Sequence, residues 1–256
     1  MIITSSFDSG NIEVIDASNP QDIRLSIRPD NQSDFYQWFH FRVSNARDQD
    51  CRYRITNAAG AAYAAGWDGY QTVASYDREH WFRVNTNYQD GELIFEHRAL
   101  ADQVYFAYFA PYSMERHADL IAFALQQGNC TLETLGRSLD GQAIDCLHFG
   151  VPDAAKKSIW MIARQHPGET MAEWWMEGLI QRLCDASDPV VRAILERAVI
   201  HLVPNMNPDG SRRGHLRTNA VGANLNREWA NPTPERSPEV LCVHQAMQAA
   251  GVDFAL

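Results

Sequence analysis

The sequence predicts an all-β sandwich domain over residues 1–114, followed by an α/β domain over residues 115–256 whose mixed, largely parallel sheet is flanked by helices. Three observations carry this reading. Before residue 115, short apolar runs with strand-like alternation are broken by turn signals every 8 to 15 residues or so. After it, stretches of helical periodicity alternate with short, nearly continuous apolar runs, the pattern of strands buried on both faces. The length of 256 residues and an apolar content of 45% are enough to bury a large core, as one large or two small domains.

In the first half, strands are expected at residues 23–27, 36–43, 51–55, 72–76, 81–84, 92–95 and 104–109. Between them Pro29-Asp-Asn, Ser44-Asn-Ala, Asn57-Ala-Ala-Gly60 and Gln89-Asp-Gly91 supply turn chemistry. Trp38, Phe39, Phe41, Trp81, Phe82 and Phe95 are then expected to fill the inner faces of two packed sheets. A nucleic-acid or sugar platform would interleave Lys and Arg with such aromatics, and these runs do not, so core packing is the better reading. In the second half a helix is expected at 116–127 and a buried strand at 158–164. The next helix begins near Thr170 and packs Met171, Trp174, Trp175, Leu179, Ile180 and Leu183 on the sheet, since they fall at spacings of three and four. Helices at 188–198 and 238–250 and strands at 199–203 and from 252 complete the pattern.

Lys and Arg total 22 against 32 Asp and Glu, so the net charge of −10 gives no electrostatic reason to expect nucleic acid or an anionic membrane as partner. The N-terminus has no basic and no apolar signal region, and no run approaches about 18 apolar residues, which disfavours secretion and membrane insertion. Cys51, Cys130, Cys146, Cys184 and Cys242 are odd in number, scattered, and never spaced Cys-x-x-Cys. Reduced, mostly buried thiols are expected.

The chemistry concentrates in loops. His166-Pro-Gly-Glu169 lies between the carboxyl end of a predicted buried strand and the start of a helix, where open α/β sheets bind ligands. A His and a Glu three apart can ligate one metal from a single turn, and Gly168 is expected to permit that turn. Asn207-Pro-Asp-Gly210 follows the strand at 199–203, so both loops are expected on the same sheet edge. Each piece alone is weak. His-x-x-Glu can be a surface His beside a solvated Glu, Asn-Pro-Asp-Gly can be a plain turn, and Arg217, Asn226 and Arg227 can be solvated surface groups. The whole set in this order, with Trp229 two residues after Arg227, is far harder for chance to supply.

Arg164-Gln-His-Pro-Gly-Glu169, Asn207-Pro-Asp-Gly210, Gly214-His-Leu-Arg217 and Asn224-Leu-Asn-Arg-Glu-Trp229 resemble the signature of zinc metallocarboxypeptidases, in their cytosolic carboxypeptidase branch. Upstream, Phe7-Asp-Ser-Gly-Asn11, Ile27-Arg-Pro-Asp30 and Gln37-Trp-Phe-His-Phe-Arg-Val-Ser-Asn45 resemble the β-sandwich domain that precedes the catalytic domain there, as do Val104-Tyr-Phe-Ala and Pro111-Tyr. The resemblance implies a cytoplasmic zinc hydrolase that removes C-terminal residues from peptides or protein tails. It makes His166 and Glu169 ligands of one Zn²⁺, which activates water and the scissile carbonyl. It makes Arg217 the group that stabilises the developing oxyanion. Asn226 and Arg227 become the clamp on the substrate's terminal carboxylate, for which a guanidinium offers a matching fork.

Three departures from the family pattern follow. Asn224 stands where Asp is usual, which removes a charge near Arg227. Pro167 and Gly168 separate the two ligands where digestive members place an Arg, so that subsite contact is expected to be absent. The family's third ligand is a His at the end of the strand after the helix at 238–250, and the chain stops in that strand at Leu256. His244 reads as a helix-face residue, and His201 and His215 do not match the ligand position. By the resemblance, these residues form the front part of an enzyme, expected by themselves to bind zinc weakly and to hydrolyse nothing at an appreciable rate. The alternatives are a zinc amidohydrolase acting on N-acyl amino acids, which comparing such substrates with peptides distinguishes, and a non-catalytic module that binds free C-termini independently of metal.

Overall fold

Alternation of buried and exposed residues builds the first half of the chain into two five-stranded sheets. The computed structural model describes all residues from Met1 to Leu256. Its first compact unit comprises Met1–Pro111 and, from far along the chain, Ser211–Arg217. Ten strands belong to it: β1 (Ile2–Thr4), β2 (Glu13–Asp16), β3 (Ile23–Ser26), β4 (His40–Ser44), β5 (Asp50–Ile55), β6 (Thr72–Ser75), β7 (Phe82–Val84), β8 (Thr86–Gln89), β9 (Glu92–Arg98) and β10 (Gln103–Ala107). They form the sheets β1-β4-β10-β6-β7 and β2-β3-β5-β9-β8, with β3 and β5 parallel. In β5 the side chains of Cys51, Tyr53 and Ile55 turn inward, as a period of two requires.

Trp38, Phe39, Phe41 and Phe95 fill the core together with Tyr53 and Phe106. The expectation for Trp81 and Phe82 is corrected: Phe82 is 39% exposed and neither residue joins the core, because β7 is an edge strand. The strands β1, β2 and β8, absent from the sequence reading, are likewise short edge strands with little inward-facing apolar surface.

The second unit comprises Tyr112–Gly210 and Thr218–Leu256. The units divide between Pro111 and Tyr112, and Ser211–Arg217 clusters with the first unit rather than the second. Its elements are α1 (Met114–Gln126), β11 (Cys130–Arg137), β12 (Ala143–Phe149), β13 (Lys157–Ile162), α2 (Met171–Leu183), α3 (Pro189–Leu195), β14 (Ala198–Val203), α5 (Pro238–Ala250) and β15 (Phe254–Ala255), with α4 (Pro208–Arg213) at the chain's exit. The sheet order is β11-β12-β14-β13-β15. It is mixed: β13 runs parallel to β14 and β15, whereas β11 and β12 add an antiparallel half.

One face of this sheet packs Leu147, Phe149, Ile200 and Leu202 against α1, α2 and α3; the other packs Ile144, Cys146, Trp160 and Val203 against α5. That explains why β14 is buried throughout and apolar at every position but His201. Helix starts follow local chemistry. Ser113 Oγ accepts from Arg116 N at α1, and Asp188 accepts from Val190 and Val191 ahead of Pro189 at α3. Each such cap stabilises its helix by about 1 kcal/mol.

In α2 the buried residues are Glu173, Met176, Ile180 and Leu183, while Met171 is 46% and Trp175 49% exposed. Of the expected face, Ile180 and Leu183 are buried and Trp174 and Leu179 pack against the same core, whereas Met171 and Trp175 do not, and the carboxylate of Glu173 takes a buried place there. The cysteines are all free, and no helix is long and apolar enough to cross a membrane.

Candidate functional site

The loops after β13 and β14 leave the same sheet edge because the two strands are parallel neighbours in register, with Ile162 opposite Val203. The edge continues as loop-to-loop bonding: Ala163 N donates to Val203 O and Met206 N to Ala163 O, both at 2.9 Å. Asn207 then fastens the loops together. Its Nδ2 donates to Gln165 O (3.1 Å), and its Oδ1 accepts from Gly210 N (3.0 Å). A Cβ on Gly210 would lie 2.4 Å from Pro167 Cγ and 2.5 Å from Thr218 O, so the approach of the two motifs requires glycine there. Asp209, fully buried, accepts from Ser138 Oγ (2.6 Å) and Asp140 N (2.9 Å). Asn207-Pro-Asp-Gly210 is therefore a scaffold that holds the His166 turn.

Beneath that turn lies a buried polar network. Arg164, not Gly168, takes the left-handed conformation in this loop (φ 54°). Its guanidinium donates to Glu173 Oε2 (2.6 Å), Tyr112 O (2.7 Å) and Pro167 O (3.1 Å). Glu173 also accepts from Asn205 Nδ2 (3.2 Å) and bonds His117 Nδ1 (2.7 Å) through its other oxygen. Asn205 Oδ1 in turn accepts from Asn207 N (2.9 Å). One carboxylate on the core face of α2 thus ties both loops to α1. Sequence reading missed it, although a Glu among apolar residues on a packing face is the signal that could have found it.

Burial by itself would depress the His117 pKa, but bonding to Asp145 and Glu173 outweighs it and raises the value to about 9. A folded-state pKa above the ordinary 6.5 means that this contribution to stability is fully present below pH 6.5 and is lost as pH rises through about 9. Urea unfolding of the chain at a series of pH values is expected to show stability falling across that window. His117→Gln is expected to flatten the fall, and an unchanged slope in that variant would contradict the assignment.

His166 is buried on this scaffold, and Glu169 is exposed at the start of α2. His166 Nδ1 lies 3.0 Å from Glu169 Oε1, and Nε2 lies 3.1 Å from Asn224 Oδ1. With Nε2 donating to the Asn224 carbonyl oxygen, the Nδ1 lone pair and a carboxylate oxygen face each other. A proton shared as a hydrogen bond satisfies this geometry, and imidazole nitrogen with carboxylate oxygen is also a donor pair suited to zinc. These two residues fit the metal. No cluster of three or more His, Cys, Asp or Glu in the chain could hold an ion. His201 is hydrogen-bonded to His148 (2.7 Å), His215 Nε2 accepts from Asn31 N (3.2 Å), and His244 lies edge-on to Trp229.

Asn226 and Arg227 are exposed on a single 3₁₀ turn, Leu225–Arg227, anchored by buried Leu225. Arg227 donates to Asn226 Oδ1, which presents the two side chains as one polar edge. The contact of Asn224 with His166 brings this turn to the His166/Glu169 pair. Trp229 Nε1 adds a second tie, donating to Gln165 Oε1 (2.8 Å). Arg217 belongs to the first unit; its backbone N donates to Asp30 Oδ2 (2.8 Å), and its guanidinium carbon lies 5.4 Å from the centroid of the Phe35 ring.

The strand edge thus gathers a His/Glu donor pair and an Asn/Arg edge, and comparison with known proteins gives the family. Residues 117–248 match the zinc carboxypeptidase family, and residues 3–109 match the cytosolic carboxypeptidase N-terminal domain. The chain belongs to the zinc carboxypeptidase family. It is 55% identical over 254 residues to an uncharacterized protein of Zymomonas mobilis, covering 99% of this chain and 66% of that one. It is 29% identical over 261 residues to cytosolic carboxypeptidase 6 of Mus musculus, covering 93% of this chain and 48% of that one. Among solved structures, a metallo-carboxypeptidase from Pseudomonas aeruginosa in complex with (2-guanidinoethylmercapto)succinic acid is 50% identical. It superposes with a TM-score of 0.95, over 100% of this chain and 68% of that one. The chain thus spans between about half and two-thirds of the length of these relatives.

Proposed function

We propose that the protein is a zinc-dependent metallocarboxypeptidase hydrolysing the C-terminal peptide bond of peptides or protein tails. The observation that carries this reading is the facing pair His166 Nδ1 and Glu169 Oε1, 3.0 Å apart on a turn that Asn224 links to the Asn226/Arg227 edge. His166 and Glu169 would hold one zinc. When bound, the metal supplies Lewis-acid activation of a carbonyl and of water. Asn224, by accepting from Nε2, selects the tautomer whose Nδ1 lone pair is available to a ligand-binding role. Asn226 and Arg227 bind the free carboxylate of the substrate, so the binding energy of the C-terminus is used to orient the last peptide bond. The dicarboxylate held by the Pseudomonas relative is a ligand of the kind such a clamp accepts. Arg217 offers a fixed positive charge to the developing oxyanion.

The test uses the full-length protein with N-acyl dipeptides bearing free or amidated C-termini, before and after treatment with a zinc chelator. Hydrolysis restricted to free C-termini, lost on chelation and restored by zinc, is expected. Turnover that survives chelation, or that favours N-acyl amino acids over peptides, would overturn the proposal.

A further inference from the structure

The segment Ser211–Arg217 packs with the β-sandwich although the chain on both sides of it belongs to the other unit. The bonds that hold it are specific. Ser9 N donates to Arg212 O (2.9 Å), Asn11 Nδ2 to Gly214 O (2.8 Å) and Asn31 N to His215 Nε2 (3.2 Å). Gly214 takes φ 73°, and a Cβ there would lie 2.7 Å from the carbonyl oxygens of Ser9 and Gly10, so only glycine permits this approach. Leu216 packs against the sandwich core.

The segment ends on Asp30, which is 3% exposed. Its two carboxylate oxygens accept from successive backbone amides, Leu216 N at 2.6 Å and Arg217 N at 2.8 Å. Bonds from amides to an ionised carboxylate are stronger and geometrically stricter than neutral ones. The Arg217 side chain beyond them has the face of Phe35 near its guanidinium, and its Nε is buried without a partner. Its direction is therefore governed by the backbone from which it extends and by that ring, with no carboxylate to hold the fork.

We infer that Asp30 is a positioning residue for Arg217 and that, together with Phe35, it fixes the direction of that guanidinium. This rests on the catalytic reading of Arg217 given above. A preorganised charge is effective only where it is held in place, and displacement by about 1 Å costs on the order of a hundredfold in rate.

The test is a cycle of Asp30→Asn, Arg217→Ala and the double variant in the full-length protein, assayed on an N-acyl dipeptide, with amide hydrogen exchange as a second readout. Asp30→Asn keeps the shape but removes one acceptor. The Leu216 and Arg217 amides are expected to exchange about tenfold faster while those of β4 and β10 stay protected, and kcat to fall about tenfold at nearly unchanged KM. In the Arg217→Ala background Asp30→Asn is expected to have no further effect on kcat. Equal losses in both backgrounds would mark Asp30 as merely structural, and unchanged exchange would remove its hold on the segment; either result overturns the inference. Wild-type kcat in Arg217→Ala would instead sink the catalytic reading of Arg217, while exchange decides separately whether Asp30 holds that backbone. Phe35→Leu, at a residue 39% exposed and outside the core, supplies an arm that does not depend on Asp30 variants folding. It is expected to lower kcat several-fold through loss of the ring beneath the guanidinium, and an unchanged kcat would count against the inference.

Discussion

Glu173→Ala is expected to lower the unfolding free energy of the chain by about 3–5 kcal/mol, because it leaves buried positive charge without its partner. The side chains of Arg164 and Glu173 are 1% and 0% exposed, and His117 bonds the same carboxylate. Compare Lys157 and Asp253, whose side chains are 70% and 41% exposed at 2.7 Å. Removing that pair is expected to leave stability nearly unchanged, since water screens it and flexible side chains lose entropy in forming it. Chemical denaturation of the two variants beside the parent gives the comparison. A loss below about 1 kcal/mol in Glu173→Ala would show that the network is not held as the distances indicate. Glu173→Gln, which keeps an acceptor but not the charge, is expected to fall between.

Arg227→Ala in the full-length protein is expected to reduce kcat/KM about a hundredfold for peptides with a free C-terminal carboxylate, the scale of losing a charge-assisted contact to substrate. Amidated peptides, which offer no carboxylate to the clamp, are expected to be turned over equally poorly by the variant and the parent. The readout is thus the ratio between free and amidated substrates, which ought to collapse toward one. A variant that keeps the parent's preference for free C-termini would remove Arg227 from the clamp and leave the anchor of the substrate unassigned.

The parts of the fold legible in the sequence are those whose burial repeats locally. The helix expected at residues 238–250 coincides with α5, Pro238–Ala250, because a proline at its first turn and a glycine just past its end mark both limits. The strand expected at 199–203 is β14 less one residue, its apolar run reflecting burial on both faces. By contrast β11 is exposed along most of its length and carries no periodic signature strong enough to define it, whereas the strand expected from residue 252 is present as the short, exposed β15. In α2 the apolar residues misled: Trp175 and Met171 face outward, and the position between them on the packing face is Glu173. Hydrophobicity alone cannot report that a carboxylate will be neutralised by an arginine and a histidine from two other elements.

His166, Glu169, Asn226 and Arg227 could be picked out by order and spacing because their chemistry is written in short motifs, each confined to a single loop. The sequence by itself determined the order and spacing of these motifs and that they fall in loops. Only the tertiary structure decided how they are held. Asn224 reaches His166 across 58 positions, Arg164 is fastened to a helix face, and Asp30 meets the amides of Leu216 and Arg217 across 186 and 187. Periodicity and motif spacing report neighbours within a turn or a strand, whereas these bonds form only after the chain has closed long loops, so the pattern along the sequence contains no trace of them.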